Sequence, residues 1–88
     1  MAWTIEFAET ALRQLQKLDR TVQQRIWKFI RRLAQLEDPR SVGEALHGER
    51  FGEFWKYRVG DYRLIVKLEN AQFVVLVVKV GHRREIYR

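Results

Sequence analysis

Apolar and polar positions along the first half of the chain predict one short strand followed by two helices. Residues 3–7 alternate between apolar and polar side chains, as a half-buried strand does. Apolar residues then recur at helical spacing in two stripes. The first stripe contains Ala8, Ala11, Leu12, Leu15 and Leu18, and the second contains Val22, Ile26, Phe29, Ile30, Leu33 and Leu36. Asp19 lies in the turn between the stripes, where it can cap the second helix, and Pro39 follows that helix, so the pattern predicts an antiparallel helical hairpin.

From residue 54 onward the apolar positions repeat every second residue, which predicts strands. Three strands are expected, at residues 54–59, 62–68 and 72–80, with turns at residues 60–61 and 69–71 between them. Connections this short join neighbouring antiparallel strands. The predicted order is therefore β-α-α-β-β-β, an α+β fold in which a helical hairpin packs on one face of a small, mainly antiparallel sheet. Residues 1–88 are expected to form one domain.

The same alternation assigns side chains to the two faces of the sheet. In the first two of the three strands, aromatic and aliphatic residues share the face expected under the helices, and cations share the other. These cations are Lys56, Arg58, Arg63 and Lys67. The last strand is apolar on both sides, and alternation counted back from Val80 places Val75 and Val77 on the cationic face. An exposed apolar saddle of Ile65, Val75 and Val77 is therefore expected beside the cations.

Composition excludes several classes of protein. The chain has 88 residues and no cysteine, so it offers no disulfide framework, no thiolate nucleophile and no sulfur-ligated zinc site. This length supports one modest core and excludes Rossmann and barrel enzymes. The two histidines, His47 and His82, are too few for a convincing metal cluster. The apolar run at residues 73–78 is far shorter than the roughly 20 residues that cross a bilayer, and no secretory signal is present, so a cytoplasmic protein without membrane contact is expected.

Charge is concentrated toward the C-terminus. The chain carries 17 Lys and Arg against 11 Asp and Glu, a net charge of +6. Residues 1–53 hold 9 basic and 8 acidic side chains, whereas residues 54–88 hold 8 basic and 3 acidic ones. Trp and Tyr side chains lie among these C-terminal cations, namely Trp55, Tyr57, Tyr62 and Tyr87. A basic surface with aromatic rings is typical of nucleic-acid binding, although a merely solvated charged face has the same composition.

Three segments of the C-terminal half carry a family resemblance. They are LHG at residues 46–48, WKYRVGDYRL at residues 55–64 and VGHRREIY at residues 80–87. Together with the helical hairpin, they resemble the RelE/ParE superfamily of toxins from bacterial and archaeal toxin–antitoxin pairs, and the RelE branch most closely. The resemblance implies a ribosome-dependent endoribonuclease that cuts mRNA in the A site without a cofactor. It also implies an antitoxin that holds the toxin inactive. The toxin and antitoxin together are then expected to bind operator DNA and repress their own operon.

The residue types independently favour RNA cleavage without a metal ion. Two-metal nucleases need converging carboxylates, and the basic C-terminal third offers only Asp61, Glu69 and Glu85. The remaining route is attack of a 2′-hydroxyl on its neighbouring phosphate, which needs a base, cations for the phosphorane charge and an acid for the departing 5′ oxygen. Lysine and arginine supply the cations. They are poor bases at neutral pH, so proton transfer requires crowded like charges or help from the ribosome.

The resemblance assigns roles to individual cations. Arg63 is expected to contact the phosphate and the transition state, with a structural ion pair to a nearby carboxylate as the alternative. Arg83 matches a stabiliser or proton donor, with a simple exposed charge as the alternative. Lys56 matches a catalytic lysine. Further expected RNA contacts are Arg58, Lys67, Arg84 and Arg88.

One position departs from the RelE pattern and leaves the proton carrier open. RelE toxins carry a second lysine two positions before the one matched by Lys56, and here that position is Phe54. His82 is the candidate replacement, because imidazole titrates near neutral pH, and an exposed histidine without a role is the alternative. Tyr87 matches a C-terminal tyrosine that orients the substrate or stacks on it, or it simply closes the core.

Two other functions remain open from the sequence. A ParE-like toxin on the same scaffold would act on DNA gyrase by protein binding and would need no catalytic cluster. A non-enzymatic nucleic-acid-binding module would use the basic face only to hold phosphates. For a toxin, the expected saddle of Ile65, Val75 and Val77 beside cations predicts an antitoxin segment that covers it with apolar anchors and acidic flanks.

Overall fold

Helices and strands follow one another in the order that the apolar pattern predicts. In the computed structural model, which describes residues 2–46 and 54–86, the elements are β1 (Thr4–Phe7), α1 (Glu9–Gln16), α2 (Arg20–Gln35), β2 (Glu44–Ala45), β3 (Phe54–Val59), β4 (Tyr62–Glu69) and β5 (Val74–His82). Short 3-10 helices occupy Pro39–Val42 and Asn70–Gln72, and the second delays the start of β5. Strand β2 has no counterpart in the sequence prediction, because two residues carry no periodic signal. None of the helices in these two ranges is both long and apolar enough to span a bilayer.

A single mixed sheet contains the five strands in the spatial order β1-β5-β4-β3-β2. Strands β3, β4 and β5 form the predicted antiparallel meander, and β2 pairs antiparallel with β3. Strand β1 pairs in parallel with β5, so that Thr4 lies opposite Val74. The predicted fold class is confirmed: two helices pack on a mainly antiparallel α+β sheet.

Both helices cover the same face of the sheet. Ile26, Ile30 and Leu33 of α2 are buried, as is Leu15 of α1. The sheet contributes to the same core Tyr57, Val59, Leu64, Val66, Leu68, Val75, Val77 and Val80. Full burial of one such aliphatic side chain contributes about 1.5–3 kcal/mol, so this core holds the helices on the sheet. We call the opposite side of the sheet the open face.

The prediction of an exposed apolar saddle on the open face is wrong, because side chains in the first half of β5 point to the opposite face from the one predicted. Val75 and Val77 are 0% exposed under the helices, and Ile65, which does point to the open face, is only 4% exposed. A β-bulge causes the change of phase. Ile65 pairs with Lys79 and the residue after Ile65 pairs with Val77, so Val78 is an extra residue in β5. The extra residue reverses the alternation on one side of the bulge, and the three residues expected to offer an exposed antitoxin contact are buried instead.

The turn between the helices is held differently from the expected cap. Asp19 occupies the N-cap position of α2, but its side chain makes no capping hydrogen bond. Gln23 Nε2 instead donates to the carbonyl oxygens of Leu18 at 2.8 Å and of Gln16 at 3.3 Å. These carbonyls belong to the last turn of α1 and the link after it, where backbone acceptors lack helical partners. One glutamine side chain therefore ties the end of α1 to the first turn of α2.

Candidate functional site

The open face of the sheet gathers lysines and arginines from three adjacent strands. Strand register places Arg58 directly opposite Arg63, and Lys56 directly opposite Ile65. Lys79 lies on the other side of Ile65, in β5. We call this group the open-face cluster, and it consists of Lys56, Arg58, Arg63, Lys67 and Lys79.

Like charges face each other in this cluster. Side chains directly opposite in an antiparallel pair have Cβ atoms roughly 4.5–5.5 Å apart, so Arg58 and Arg63 repel each other. Arg63 Nη1 donates to the backbone carbonyl oxygens of Gly60 and Tyr62, both at 2.9 Å. Within residues 2–46 and 54–86, Arg63 forms no ion pair with a carboxylate, so its structural alternative is not realised there. An arginine that is fixed by the backbone and has no carboxylate partner in these ranges favours binding of an anion.

The turn after β5 brings Arg83 to the same end of the sheet as Arg63. The backbone N–H of Arg83 donates to the carbonyl oxygen of Asp61 at 2.8 Å, and Arg83 Nη1 lies 3.9 Å from Asp61 Oδ1. Asp61 belongs to the β3–β4 turn and directly follows Gly60, whose carbonyl oxygen accepts from Arg63. The two arginines are thus held by one turn. The Arg83 side chain is 53% exposed, so its pairing with Asp61 is weak and leaves it accessible to an anion.

Glu44 belongs to the site but not to the candidates that the sequence provided. One of its carboxylate oxygens lies 3.3 Å from Lys56 Nζ and the other lies 3.9 Å from Arg58 Nη2. The pairing of β2 with β3 causes this, because it sets Glu44 opposite Lys56. No sequence signal could have identified Glu44, since β2 is two residues long. Lys79 is also missing from the sequence candidates, although alternation counted from Val80 does place it on the open face.

His82 does not join the open-face cluster. It lies opposite Tyr62 on the side of the sheet that the helices cover, and the two rings pack edge to face with centroids 5.7 Å apart. Its Nδ1 accepts a hydrogen bond from the backbone N–H of Arg84 at 3.2 Å. Beside it is a cleft of about 390 Å³ between the end of α1 and the end of β5. His82 therefore faces a different surface from Arg63, and its role in proton transfer stays a prediction.

The other sequence candidates occupy different parts of the molecule. Lys67 lies on the open face directly opposite Phe54, so a lysine of the neighbouring strand adjoins the position where RelE toxins carry their second lysine. Arg84 is exposed in the turn after β5. Tyr87 and Arg88 lie outside the described residues, and their roles stay predictions.

Fixed positive charge is what the described site offers chemically. Preorganised cations hold phosphate groups and stabilise negative charge that develops on them. In the described parts of the chain, no three His, Cys, Asp or Glu side chains are grouped so that they could hold a metal ion.

Comparisons of sequence and of structure find the same group of proteins. A family model described as "ParE toxin of type II toxin-antitoxin system, parDE" matches residues 5–87. Toxin RelG of Mycobacterium tuberculosis is 34% identical over 89 residues, which cover 100% of this chain and 99% of RelG. The mRNA interferase toxin RelE of Escherichia coli K12 is 34% identical, over 99% of this chain and 92% of RelE. Among solved structures, the toxin–antitoxin complex RelBE2 from Mycobacterium tuberculosis contains a chain with a TM-score of 0.84 and 28% identity, covering 97% of this chain and 95% of that one.

Proposed function

Because the chain belongs to the ParE toxin family of type II toxin–antitoxin systems, within the RelE/ParE superfamily, we propose that it is an endoribonuclease that cleaves translated mRNA on the ribosome. The observation that carries the proposal is the open-face cluster, with Arg63 and Arg83 held by one turn at its end. A relative that matches nearly the full chain is named an mRNA interferase, and the cluster supplies the cations that RNA cleavage needs.

In the proposed reaction the ribose 2′-hydroxyl attacks the adjacent phosphate. A 2′,3′-cyclic phosphate forms, and the bond to the 5′ oxygen of the next nucleotide breaks, with that oxygen taking up a proton. Arg63 and Arg83 bind the non-bridging oxygens, whose negative charge grows in the phosphorane transition state. The Arg63 guanidinium is already held by two backbone carbonyl oxygens, and a preorganised donor needs no rearrangement as the charge develops. Arg58 and Lys67 bind flanking phosphates, and neither a metal ion nor a cofactor takes part in the proposed mechanism.

Proton transfer from the 2′-hydroxyl is assigned to Lys56. It lies on the open face with Arg63, and in the free protein its Nζ is 3.3 Å from a Glu44 carboxylate oxygen. The proposal therefore requires that bound RNA displace Glu44 and leave Lys56 among the other cations of the cluster. His82 is a poorer candidate for this step, because its ring packs on Tyr62 across the sheet. Tyr87 is proposed to orient or stack on the substrate.

A single 2′-deoxynucleotide at the cut site tests the mechanism. Primer extension on translated mRNA first maps the cuts, and the deoxynucleotide then replaces the one on the 5′ side of the scissile phosphate. Cleavage is expected to disappear, because the nucleophile is missing, while unmodified mRNA yields an upstream fragment that ends in a 2′,3′-cyclic phosphate. A deoxynucleotide one position downstream serves as the control and is expected to be cut normally. Hydrolysis of the deoxy substrate to a 3′-hydroxyl end would contradict 2′-hydroxyl attack.

The proton carrier is tested by replacing each candidate separately. Lys56→Met is expected to lower the single-turnover rate by about 10²–10⁴, the range typical for loss of a general acid or base. His82→Gln is expected to retain the wild-type rate, because the imidazole faces a different surface. If His82→Gln instead loses both rate and pH dependence near neutral pH, His82 is the carrier and the assignment to Lys56 is wrong.

A cognate antitoxin is the second proposed partner. The solved relatives include toxin–antitoxin complexes, among them RelBE2 of Mycobacterium tuberculosis. We propose that an acidic antitoxin segment neutralises the open-face cluster and thereby inhibits cleavage, and that the complex represses its operon on operator DNA. Complementary charge of this kind speeds association and selects the partner.

A further inference from the structure

Helix α2 carries a second basic surface outside the open-face cluster. Its sequence, RTVQQRIWKFIRRLAQ, contains five basic residues and no acidic one. Arg25, Lys28 and Arg32 follow one another at i, i+3 and i+7, so they share one side of the helix, and all three are exposed. From Arg25 to Arg32 the helix rises about 10 Å. We call these three residues the α2 basic face.

The cations of the α2 basic face have no counter-charge in the described structure. The ion pairs among residues 2–46 and 54–86 involve other cations, such as Arg13 with Glu9 and Arg40 with Asp38. Arg25, Lys28 and Arg32 instead surround a shallow groove of about 240 Å³ whose other walls are Phe29 and Val59. Three neighbouring like charges on one groove are a binding surface for an extended anion.

The α2 basic face meets the open-face cluster at Gly60. Arg25 Nη1 lies 3.5 Å from the point where a Cβ atom on Gly60 would be, and Arg63 Nη1 donates to the Gly60 carbonyl oxygen at 2.9 Å. Guanidinium groups from α2 and from the open face thus approach the same turn from its two sides. A chain of phosphates that leaves Arg63 and passes over this turn reaches Arg25 next.

We propose that the α2 basic face binds the phosphate backbone of RNA that extends beyond the reacting nucleotides. The inference rests on the proposed function, because it takes the polyanion at the open-face cluster to be RNA. An acidic protein is the less favoured occupant, since the groove offers only Phe29 and Val59 as apolar surface, and Val59 is 7% exposed. Arginine and lysine side chains that bind phosphates position RNA and carry no sequence preference, so the surface is expected to bind independently of sequence.

Binding of RNA of two lengths to matched variants tests the proposal. The probes are fluorescein-labelled 2′-O-methyl oligouridylates of about 4 and about 16 nucleotides, which 2′-hydroxyl attack cannot cleave. Lys28→Gln/Arg32→Gln removes two charges from the α2 basic face. Arg13→Gln/Arg20→Gln removes the same charge from α1 and from the first residue of α2, outside this face. Fluorescence anisotropy over a series of salt concentrations gives the affinity and its salt dependence.

For the longer probe, Lys28→Gln/Arg32→Gln is expected to weaken binding by about tenfold. The slope of log K against log salt is expected to become shallower by about 1.4, because each phosphate of a single strand that the variant no longer neutralises contributes about 0.7. The shorter probe is expected to bind this variant and the control equally well. The proposal is overturned if the longer probe binds both variants with equal affinity and slope, or if the shorter probe loses as much affinity as the longer one. It is also overturned if the α2 variant loses only antitoxin binding, which would assign the face to a protein.

The binding assay is independent of cleavage. If Lys28→Gln/Arg32→Gln shows the length-dependent loss of affinity but the wild-type protein cuts no mRNA, the proposed nuclease activity fails while the α2 basic face remains an RNA-binding surface. If it cuts mRNA and the α2 variant binds the longer probe normally, the inference alone fails.

Discussion

Arg63→Ala is expected to lower the single-turnover rate of mRNA cleavage on the ribosome by about 10²–10³, and Arg83→Ala by a similar factor. The basis is the cost of removing one preorganised charge-stabilising donor, about 2.7–4 kcal/mol in the transition state. Both variants are expected to fold normally. The Arg63 guanidinium donates to the carbonyl oxygens of Gly60 and Tyr62 and lies on the face opposite the core, and the Arg83 side chain is 53% exposed. Primer extension on translated mRNA and growth after induction measure the effect.

Arg13→Ala is the matched control for loss of an arginine. Arg13 is exposed and pairs with Glu9 on α1, so its removal is expected to change neither cleavage nor folding. Full toxicity of a folded Arg63→Ala/Arg83→Ala variant would contradict the nuclease proposal. It would favour the alternative in which a ParE-like toxin acts on DNA gyrase by protein binding.

Val77→Glu is expected to unfold the protein. Val77 is 0% exposed in the core, so the substitution buries a carboxylate without a partner and costs more than about 4 kcal/mol. A domain of this size has a total stability of roughly 4–13 kcal/mol, and much of the population is therefore expected to be unfolded. Urea denaturation followed by circular dichroism, in the Arg63→Ala/Arg83→Ala background to permit expression, measures the free energy of unfolding.

Val42→Glu supplies the matched control, because Val42 is 58% exposed. The same carboxylate there is expected to change stability by no more than about 0.5 kcal/mol. If Val77→Glu is as stable as Val42→Glu and only loses antitoxin binding, then Val77 is exposed as uninterrupted alternation predicts, and the bulge in β5 is absent in solution.

The sequence was sufficient for the elements whose apolar pattern is long and regular. The stripe through Ile26, Ile30 and Leu33 predicted α2 and its buried side, and all three residues are in the core. The alternation in β3 and β4 correctly placed Arg58 and Arg63 on the face opposite the helices. Local periodicity succeeds here because one side of each element is buried along its whole length.

Strand pairings between distant parts of the chain were not predicted. Glu44 reaches Lys56 only because a two-residue strand pairs with β3. The parallel pairing of β1 with β5 joins residues about seventy positions apart, such as Thr4 and Val74. The local sequence of either strand contains no signal for such a long-range pairing. Both pairings follow from the packing of the whole sheet.

By itself, the sequence determined the α+β class, the order of the main elements, the family resemblance and the set of cations that make the C-terminal half basic. Tertiary structure alone decided which of those residues lie together. The bulge at Val78 buries Val75 and Val77, and the register at the end of β5 turns His82 toward Tyr62 and away from Arg63. The physical reason is that side chains alternate along a strand whichever face of the sheet is buried. One extra residue therefore moves every side chain beyond it to the other face, and only the pairing with the neighbouring strand shows where that residue is.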